Sequence, residues 1–268
     1  MRSQPYAPAG FALALAVTLF AAGCGEAEPD PEDTLRIAAA ASLQRPLTRL
    51  IEVFETQHPG TEIEPSLGAS GALRRQIAQG APFDLFLSAA PVEIERLAGS
   101  GRLLPEVTAD FLGNTLVLAA GDRRSPAVCS WQALAEDSWS GRLAIGDVET
   151  APVGRYAREV LGNLGLWKAL SGRLIFGKNA LQVARYLESG EVAVGIVYRS
   201  DLHERGLPVI AEAPPGSHTP IRYRLAVLID KAGAPPHPRA EGFSRFLRSP
   251  AAATVFREYG FEPLVAAP

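Results

Sequence analysis

The chain has 268 residues, of which 47% are hydrophobic and 21% charged, and its formal net charge is −3. A mildly acidic chain without a basic cluster is not expected to bind nucleic acid, because neutralising phosphates needs Lys and Arg concentrated on one face. The four histidines and two cysteines show no metal-ligand spacing, so no metal cofactor is predicted.

The N-terminus has the pattern of an export signal. Arg2 is followed by an uncharged apolar run over residues 11–22 and then by small residues up to Gly23. A membrane-spanning helix needs about 20 apolar residues, and this run is shorter. We therefore predict a signal peptide over residues 1–23 and an exported protein.

Cys24 directly follows these small residues, and the stretch resembles the bacterial lipoprotein box, although Ala21 stands where Leu is more usual. The expectation is a lipidated Cys24 that anchors the protein to a membrane, at the periplasm or the cell surface. Residues 24–33 are acidic and contain proline, which is typical of a solvated tether. The alternative is an ordinary signal peptide with an incidental cysteine.

Lipidation of Cys24 would leave Cys129 without a disulfide partner. Val128 precedes it and Trp131 follows closely. We interpret Cys129 as a packed or partly buried thiol rather than a reactive one.

Short β-like runs alternate with helical periodicity along the rest of the chain. The runs lie at 35–39, 62–66, 84–88, 115–119, 143–145, 192–197 and 222–229. Apolar residues recur at intervals of three and four between them, which predicts helices near 44–57, 72–79, 155–164 and 181–189, followed by two more that Ser249-Pro250 interrupts. Strand–helix alternation of this kind predicts an α/β fold with largely parallel sheets.

The two longest β-like runs, at 115–119 and 222–229, are candidates for segments that pass between two lobes. The predicted organisation is a first lobe over 34–114, a second lobe over 115–221, and a return to the first lobe over 222–268. A ligand cleft is expected between the lobes.

Four predicted helices begin directly after a turn of small residues or glycine. A helix start leaves backbone N–H groups without partners and carries partial positive charge, so it suits an anion. Ser42 and Ser70 stand at two of these starts, and capping of their own helices is the favoured role of each hydroxyl from the residues alone. Val153 and Ala180 stand at the other two and can offer only backbone.

Several distinctive stretches occur in order along nearly the whole mature chain. They are Ala39-Ala-Ala-Ser-Leu43, Ser70-Gly-Ala-Leu-Arg-Arg-Gln76, residues 80–89, Leu112-Gly-Asn-Thr-Leu-Val117, Gly146-Asp147, Pro152-Val-Gly154, Gly195-Ile-Val-Tyr198, Ser200-Asp201 and residues 246–261. Together they resemble the molybdate/tungstate-binding proteins of bacterial importers, which have the two-lobed periplasmic-binding-protein fold.

The resemblance implies that this chain is not an enzyme and that molybdate or tungstate is its cargo rather than a cofactor. The implied contacts are Ser42, Ser70, Val153, Ala180 and Tyr198, all to the oxygens of the anion and none to its metal atom. The implied partner is the membrane permease of an ABC importer, and we expect a monomer. Without the resemblance, Tyr198 is interpreted as a half-buried packing residue with its hydroxyl in solvent.

Other classes fit the residues less well. Gly68-Ala-Ser70-Gly71-Ala72 approaches the nucleophile elbow of serine hydrolases, but its fifth position is Ala. Residues 172–179 approach a phosphate-binding loop, but Asn179 replaces the hydroxyl that would hold Mg²⁺, and a helix cap is the better interpretation. Among binding proteins, sulfate is the nearer alternative cargo. Ferric iron is less favoured because Tyr198 has no tyrosine neighbour in sequence.

Overall fold

The computed structural model describes residues 34–121, 128–203, 205–229 and 235–264. The predicted signal peptide, Cys24 and the tether lie outside this part of the chain. Within it, no helix has the length and apolarity needed to cross a membrane.

The described residues form eleven strands and eight α-helices. The strands are β1 (Thr34–Ala40), β2 (Glu62–Gly68), β3 (Leu85–Ser88), β4 (Leu103–Gly113), β5 (Leu116–Ala120), β6 (Leu143–Gly146), β7 (Leu174–Gly177), β8 (Val194–Tyr198), β9 (Val209–Glu212), β10 (Arg222–Leu228) and β11 (Glu262–Pro263). The helices are α1 (Gln44–Gln57), α2 (Ser70–Ala78), α3 (Pro91–Glu95), α4 (Pro152–Asn163), α5 (Trp167–Leu170), α6 (Ala180–Glu188), α7 (Ala240–Leu247) and α8 (Pro250–Glu258).

Two sheets organise these elements, which confirms the two-lobed α/β prediction. The first sheet has the order β11-β4-β10-β3-β1-β2, and the second has the order β7-β6-β8-β5-β9. We call the first sheet and its helices lobe 1, and the second sheet and its helices lobe 2. The chain passes from lobe 1 to lobe 2 between β4 and β5, and it returns between β9 and β10.

Both sheets are mixed, and parallel pairing is confined to part of each. In lobe 1, β1 pairs in parallel with β2 and β3, whereas β10 is antiparallel to β3 and β4. In lobe 2, β6 pairs in parallel with β7 and β8, whereas β5 is antiparallel to β8 and β9. The expectation of largely parallel sheets needs this refinement because β5 and β10 arrive from the other lobe. They are not joined to their neighbours by the helical crossover that parallel pairing requires.

The predicted apolar stripe of α1 is buried in lobe 1, where Leu47, Leu50 and Phe54 are at most 2% exposed. Phe54 also meets Phe243 of α7, with ring centroids 5.0 Å apart. Burying a side chain of this size stabilises the fold by about 1.5–3 kcal/mol. The C-terminal helices are therefore part of the lobe 1 core.

Cys129 contradicts the expectation of a packed thiol, because it is exposed and free. Its neighbour Val128 and the nearby Trp131 are buried, and the Trp131 indole donates a hydrogen bond to the Glu212 carbonyl. These two side chains take the inward positions of the segment, and Cys129 is left on its outer side.

Candidate functional site

The five predicted contact residues line one small pocket between the lobes. Ser42 and Ser70 come from lobe 1, and Val153, Ala180 and Tyr198 come from lobe 2. The cavity volume is about 10 Å³, which is far below the roughly 300–1,000 Å³ of sites for drug-sized ligands. The pocket therefore suits a small ion.

Three α-helices and one 3-10 turn begin at this pocket. α2 begins at Ser70, α4 at Pro152 and α6 at Ala180, and the 3-10 turn Ala41–Leu43 precedes α1. The first N–H groups of a helix have no partner within the helix, and they carry its partial positive charge. Donors from both lobes thus converge on one point.

Glycines allow the backbone segments to approach this closely. A Cβ on Gly154 would lie 2.2 Å from the Gly146 carbonyl oxygen, so α4 can pack against the end of β6 only without a side chain there. A Cβ on Gly71 would lie 2.7 Å from the Thr150 carbonyl oxygen, to which the Gly71 N–H donates a hydrogen bond across the lobes at 3.0 Å. The two lobes are therefore in direct backbone contact beside the pocket.

Asp147 shapes the loop that carries this cross-lobe contact. Its Oδ1 accepts hydrogen bonds from the Thr150 N–H and hydroxyl, each at 2.8 Å, and from the Glu149 N–H at 3.1 Å. Burial alone would raise the pKa of Asp147, but these hydrogen bonds outweigh it and lower the pKa below its usual range. The loop thus holds Thr150 in position by bonds to an ionised carboxylate.

Ser70 is the first residue of α2 and does not cap it, so the capping role expected from the residues alone is wrong. The N-cap is Ala69, and the Ser70 hydroxyl is fully buried and accepts a hydrogen bond from the Ala89 N–H at 3.0 Å. A hydroxyl has one proton to donate in addition to the bonds it accepts. The Ser70 proton is therefore available to a ligand.

Ser42 also makes no capping bond, because it lies inside the 3-10 turn rather than before it. Its Oγ lies 2.8 Å from the hydroxyl of Tyr223, a fully buried residue of β10. The predicted capping role of Ser42 is therefore also wrong, because its hydroxyl bonds to a residue that is distant in sequence.

Val153 and Ala180 stand in the first turns of α4 and α6, because these helices begin at Pro152 and Ala180, slightly earlier than the predicted 155–164 and 181–189. Both are buried, and both line the pocket. Asn179 caps α6, with its Oδ1 accepting from the Gln182 N–H at 3.0 Å. The interpretation of Asn179 as a helix cap is confirmed.

Tyr198 ends β8 and is 1% exposed, so the expectation of a half-buried ring with a solvated hydroxyl is wrong. Its hydroxyl is buried and has no hydrogen-bond partner among the described residues. Burial raises the pKa of Tyr198 well above its usual value, and the nearby Tyr223, Tyr156 and Asp201 raise it further. A buried hydroxyl without a partner is costly, so this one indicates a missing hydrogen-bond acceptor.

Asp201 holds the backbone of Tyr198 in place by a hydrogen bond. One carboxylate oxygen accepts the Tyr198 N–H at 3.0 Å. Burial raises the pKa of Asp201 to about 7, although this hydrogen bond and Arg205 act in the opposite direction. The carboxylate fixes the end of β8, and it is not among the residues that line the pocket.

The pocket wall has no charged side chain among the described residues. Its polar groups are hydroxyls, the Asn179 side chain and backbone. Arg74, one turn beyond Ser70, instead pairs with Glu93, with Nε 3.0 Å from Oε2. The site is therefore a set of neutral donors.

A larger open groove of about 860 Å³ lies elsewhere in lobe 1, beside β4 and the Arg224–Asp110 ion pair. None of the five predicted residues lines it. We assign the candidate site to the smaller pocket, because helix starts and a buried unpartnered hydroxyl meet there.

A hydrolase needs a base beside its nucleophile. In the described part of the chain, the one hydrogen bond of the Ser70 hydroxyl is to a backbone N–H. No group of three or more His, Cys, Asp and Glu residues that would hold a metal ion occurs there either.

The surroundings of Tyr198 bear on the alternative of a ferric iron site, for which the sequence shows no neighbouring tyrosine. Tyr198 does have tyrosine neighbours in space, with ring centroids 6.0 Å from Tyr223 and 6.5 Å from Tyr156. Burial raises the pKa of all three phenols, that of Tyr156 to about 12. The phenols are therefore protonated at neutral pH in the protein without a bound metal.

Two residues at this site were missed by the sequence reasoning. Tyr223 belongs to a run for which the pattern predicts only a strand, and Asn114 lies in a stretch that carries only the resemblance to molybdate/tungstate-binding proteins. Both are buried polar groups that bond to each other and, through Tyr223, to Ser42. The sequence signal for Asn114 is a polar residue at the predicted boundary between the lobes, directly before the run 115–119.

Comparisons with known proteins agree with this geometry. The chain is 36% identical over 94% of its length to YvgL of Bacillus subtilis, by its name a candidate ABC transporter substrate-binding lipoprotein, of which 96% is covered. It is 33% identical over 94% of its length to the molybdate-binding protein ModA of Escherichia coli, of which 95% is covered. The solved structure of the Azotobacter vinelandii periplasmic molybdate-binding protein matches 87% of this chain and 99% of its own, with a TM-score of 0.74 at 26% identity. A family model described as bacterial extracellular solute-binding protein matches residues 35–262. The chain belongs to this family of bacterial extracellular solute-binding proteins.

Proposed function

We propose that this protein binds molybdate or tungstate outside the cytoplasmic membrane and delivers it to the permease of an ABC importer. The observation that carries the proposal is a pocket of neutral donors lined by Tyr198, whose buried hydroxyl has no hydrogen-bond partner among the described residues. Relatives with molybdate-binding names over nearly the whole chain support it. The anion is cargo, and no catalytic step is proposed.

Hydrogen-bond energies are large enough for such a site. Each bond to a charged partner contributes about 1.5–3 kcal/mol, so six or seven of them offset a substantial desolvation cost of a dianion. The Ser42, Ser70 and Tyr198 hydroxyls are proposed to donate together with the N–H groups of Ser42, Ser70, Val153 and Ala180. Because the pocket wall offers donors and no carboxylate acceptor, anions that keep a proton are disfavoured.

Titration calorimetry with molybdate, tungstate, sulfate, phosphate, thiosulfate and Fe³⁺ tests the cargo. We expect micromolar or tighter binding of molybdate and tungstate, about −8.2 kcal/mol or more favourable. Sulfate, a smaller tetrahedral dianion, should bind much more weakly. Equal binding of sulfate and molybdate would reduce the proposal to a general oxyanion carrier, and tight binding of Fe³⁺ alone would replace it.

We further propose that Cys24 carries lipid and holds the protein at a membrane, which the name of YvgL as a lipoprotein supports. More than one acyl chain is needed for stable anchoring. Cys24→Ala should leave the precursor unlipidated and change its membrane fractionation. Mass spectrometry that finds no lipid on the wild-type protein would refute this part.

The protein is proposed to act as a monomer. Light scattering after size-exclusion chromatography, with and without molybdate, tests this directly. A stable dimer in both conditions would contradict it.

A further inference from the structure

The hydroxyl of Ser42 is linked to a chain of hydrogen bonds that begins at the first crossing between the lobes. Asn114 lies between β4 and β5, and its Oδ1 accepts the Thr115 N–H at 2.9 Å. This bond fixes which end of the amide is the acceptor. The Nδ2 group therefore donates at its other contacts, and it has two protons for them.

Those contacts are the Ser200 hydroxyl, at 2.8 Å, and the Tyr223 hydroxyl, at 3.4 Å. Asn114 is 7% exposed and Tyr223 is fully buried, so water does not compete freely for these groups. The Tyr223 oxygen thus accepts from Asn114. Its single proton needs an acceptor, because a buried O–H without one is costly.

Ser42 Oγ, 2.8 Å away, is the acceptor available to that proton among the described residues. The direction of the chain is then Asn114 to Tyr223 to Ser42. A serine that accepts from Tyr223 keeps its own proton for another partner, and Ser42 lines the pocket.

We propose that Tyr223, oriented by Asn114, is a positioning residue that makes the Ser42 hydroxyl a donor toward the bound oxyanion. Tyr223 itself does not line the pocket. The inference rests on the proposed function and deepens it, because it names a determinant of selectivity for fully ionised oxyanions. Ser70 reaches the same donor state through a backbone N–H, whereas Ser42 depends on a side chain that mutation can remove.

Tyr223→Phe removes one oxygen and keeps the ring that packs against Phe261, 5.5 Å between centroids. The Ser42 hydroxyl then has no fixed direction and is free to accept as well as donate. We expect molybdate affinity to fall by about three- to tenfold, and the preference for molybdate over hydrogen phosphate to fall with it. Loss of ring packing alone would weaken both anions equally.

A double-mutant cycle isolates the route through Ser42. Molybdate is titrated into the wild type, Ser42→Ala, Tyr223→Phe and the double variant. If Tyr223 acts through Ser42, adding Tyr223→Phe to Ser42→Ala should change the affinity by less than about twofold. Additive losses, or an unchanged preference for molybdate over hydrogen phosphate in Tyr223→Phe, would overturn the proposal.

Tyr156→Phe is the matched control, since it deletes another buried tyrosine hydroxyl near the site that is not bonded to either serine. It should leave the selectivity between molybdate and hydrogen phosphate unchanged. Wild-type protein that binds no oxyanion would refute the proposed function, whereas an additive cycle in a molybdate-binding wild type would refute the role of Tyr223 alone.

Discussion

Two regions at the boundary between the lobes offer opposite surroundings to a negative charge. The pocket has hydroxyls and helix starts and no charged wall residue among those described. Close by, the carboxylate of Glu93, with its side chain 1% exposed, lies within 3.2 Å of guanidinium nitrogens of Arg74, Arg96 and Arg155. We call this second group the arginine cluster. One region offers neutral donors to the proposed anion, and the other surrounds a carboxylate with cations.

The difference follows from what each region must do. The carboxylate of Glu93 is part of the chain and stays in place, so fixed cations can offset the free-energy cost of burying its charge. A transported anion must leave again, and three cations around an empty pocket would repel one another and attract any anion. Neutral donors avoid both effects, and their directions also distinguish an oxygen that accepts from one that carries a proton.

The arginine cluster also joins the lobes. Arg155 belongs to α4 of lobe 2 and Glu93 to α3 of lobe 1, with Arg155 Nη2 and Glu93 Oε1 2.9 Å apart as an ion pair rather than an aligned hydrogen bond. Hinge closure around ligands commonly depends on contacts of this kind. The cluster is therefore expected to favour the closed arrangement and to contribute little to anion choice.

Placing a charge in the neutral pocket should have the largest effect. Ser70→Asp puts a carboxylate where the hydroxyl is fully buried, facing the proposed dianion without a cation on the pocket wall. We expect no measurable molybdate binding by calorimetry. Ser70→Ala, the matched neutral variant, should still bind, and retained affinity in Ser70→Asp would contradict a desolvated anion site.

Removing one neutral donor should have the next largest effect. Tyr198→Phe deletes the unpartnered hydroxyl and retains the buried ring, so the fold should be kept. Loss of one hydrogen bond to a charge corresponds to about 1.5–3 kcal/mol, or roughly ten- to a hundredfold in Kd. Ser70→Ala should lie in the same range. Calorimetry that finds Tyr198→Phe equal to wild type would exclude this hydroxyl from the contacts.

Changing the arginine cluster should have a smaller effect of a different kind. Arg155→Gln removes the cross-lobe ion pair, and we expect molybdate affinity to fall less than about tenfold, because Glu93 keeps Arg74 and Arg96 as partners. Arg74→Gln, within lobe 1, should change affinity less still.

Anion selectivity separates this effect from the pocket. The preference for molybdate over sulfate should be the same in Arg155→Gln as in the wild type, because Arg155 does not line the pocket. If Arg74→Gln abolished binding while the hydroxyl deletions did nothing, a cation-based site would have to replace the neutral one.

The sequence predicted the pocket residues better than their hydrogen bonds. Periodicity placed α1 at 44–57, and the structure has Gln44–Gln57, because its buried stripe is continuous from Leu47 to Phe54. The capping roles of Ser42 and Ser70 were wrong because each hydroxyl bonds to a residue far along the chain, Tyr223 or Ala89. Hydrogen-bond partners that are distant in sequence cannot be predicted from local sequence patterns. The prediction of a half-buried Tyr198 was wrong for the same reason, since its ring packs against Tyr156 of α4 and Tyr223 of β10.

The smallest effect on binding is expected where the pocket uses backbone alone. Val153 is 1% exposed and stands in the first turn of α4, where its N–H is proposed to face the anion. Val153→Ala keeps that N–H and should change the molybdate Kd by less than about threefold, although lost packing should lower the melting temperature of the unliganded protein. Val153→Pro removes the N–H at the same position and should weaken binding severely. The helix itself should be kept, because the first turn of a helix tolerates proline. The pair therefore separates the side chain from the backbone donor. If Val153→Ala weakened binding as much as Val153→Pro, the side chain would be a contact, and the anion would be recognised partly by apolar packing.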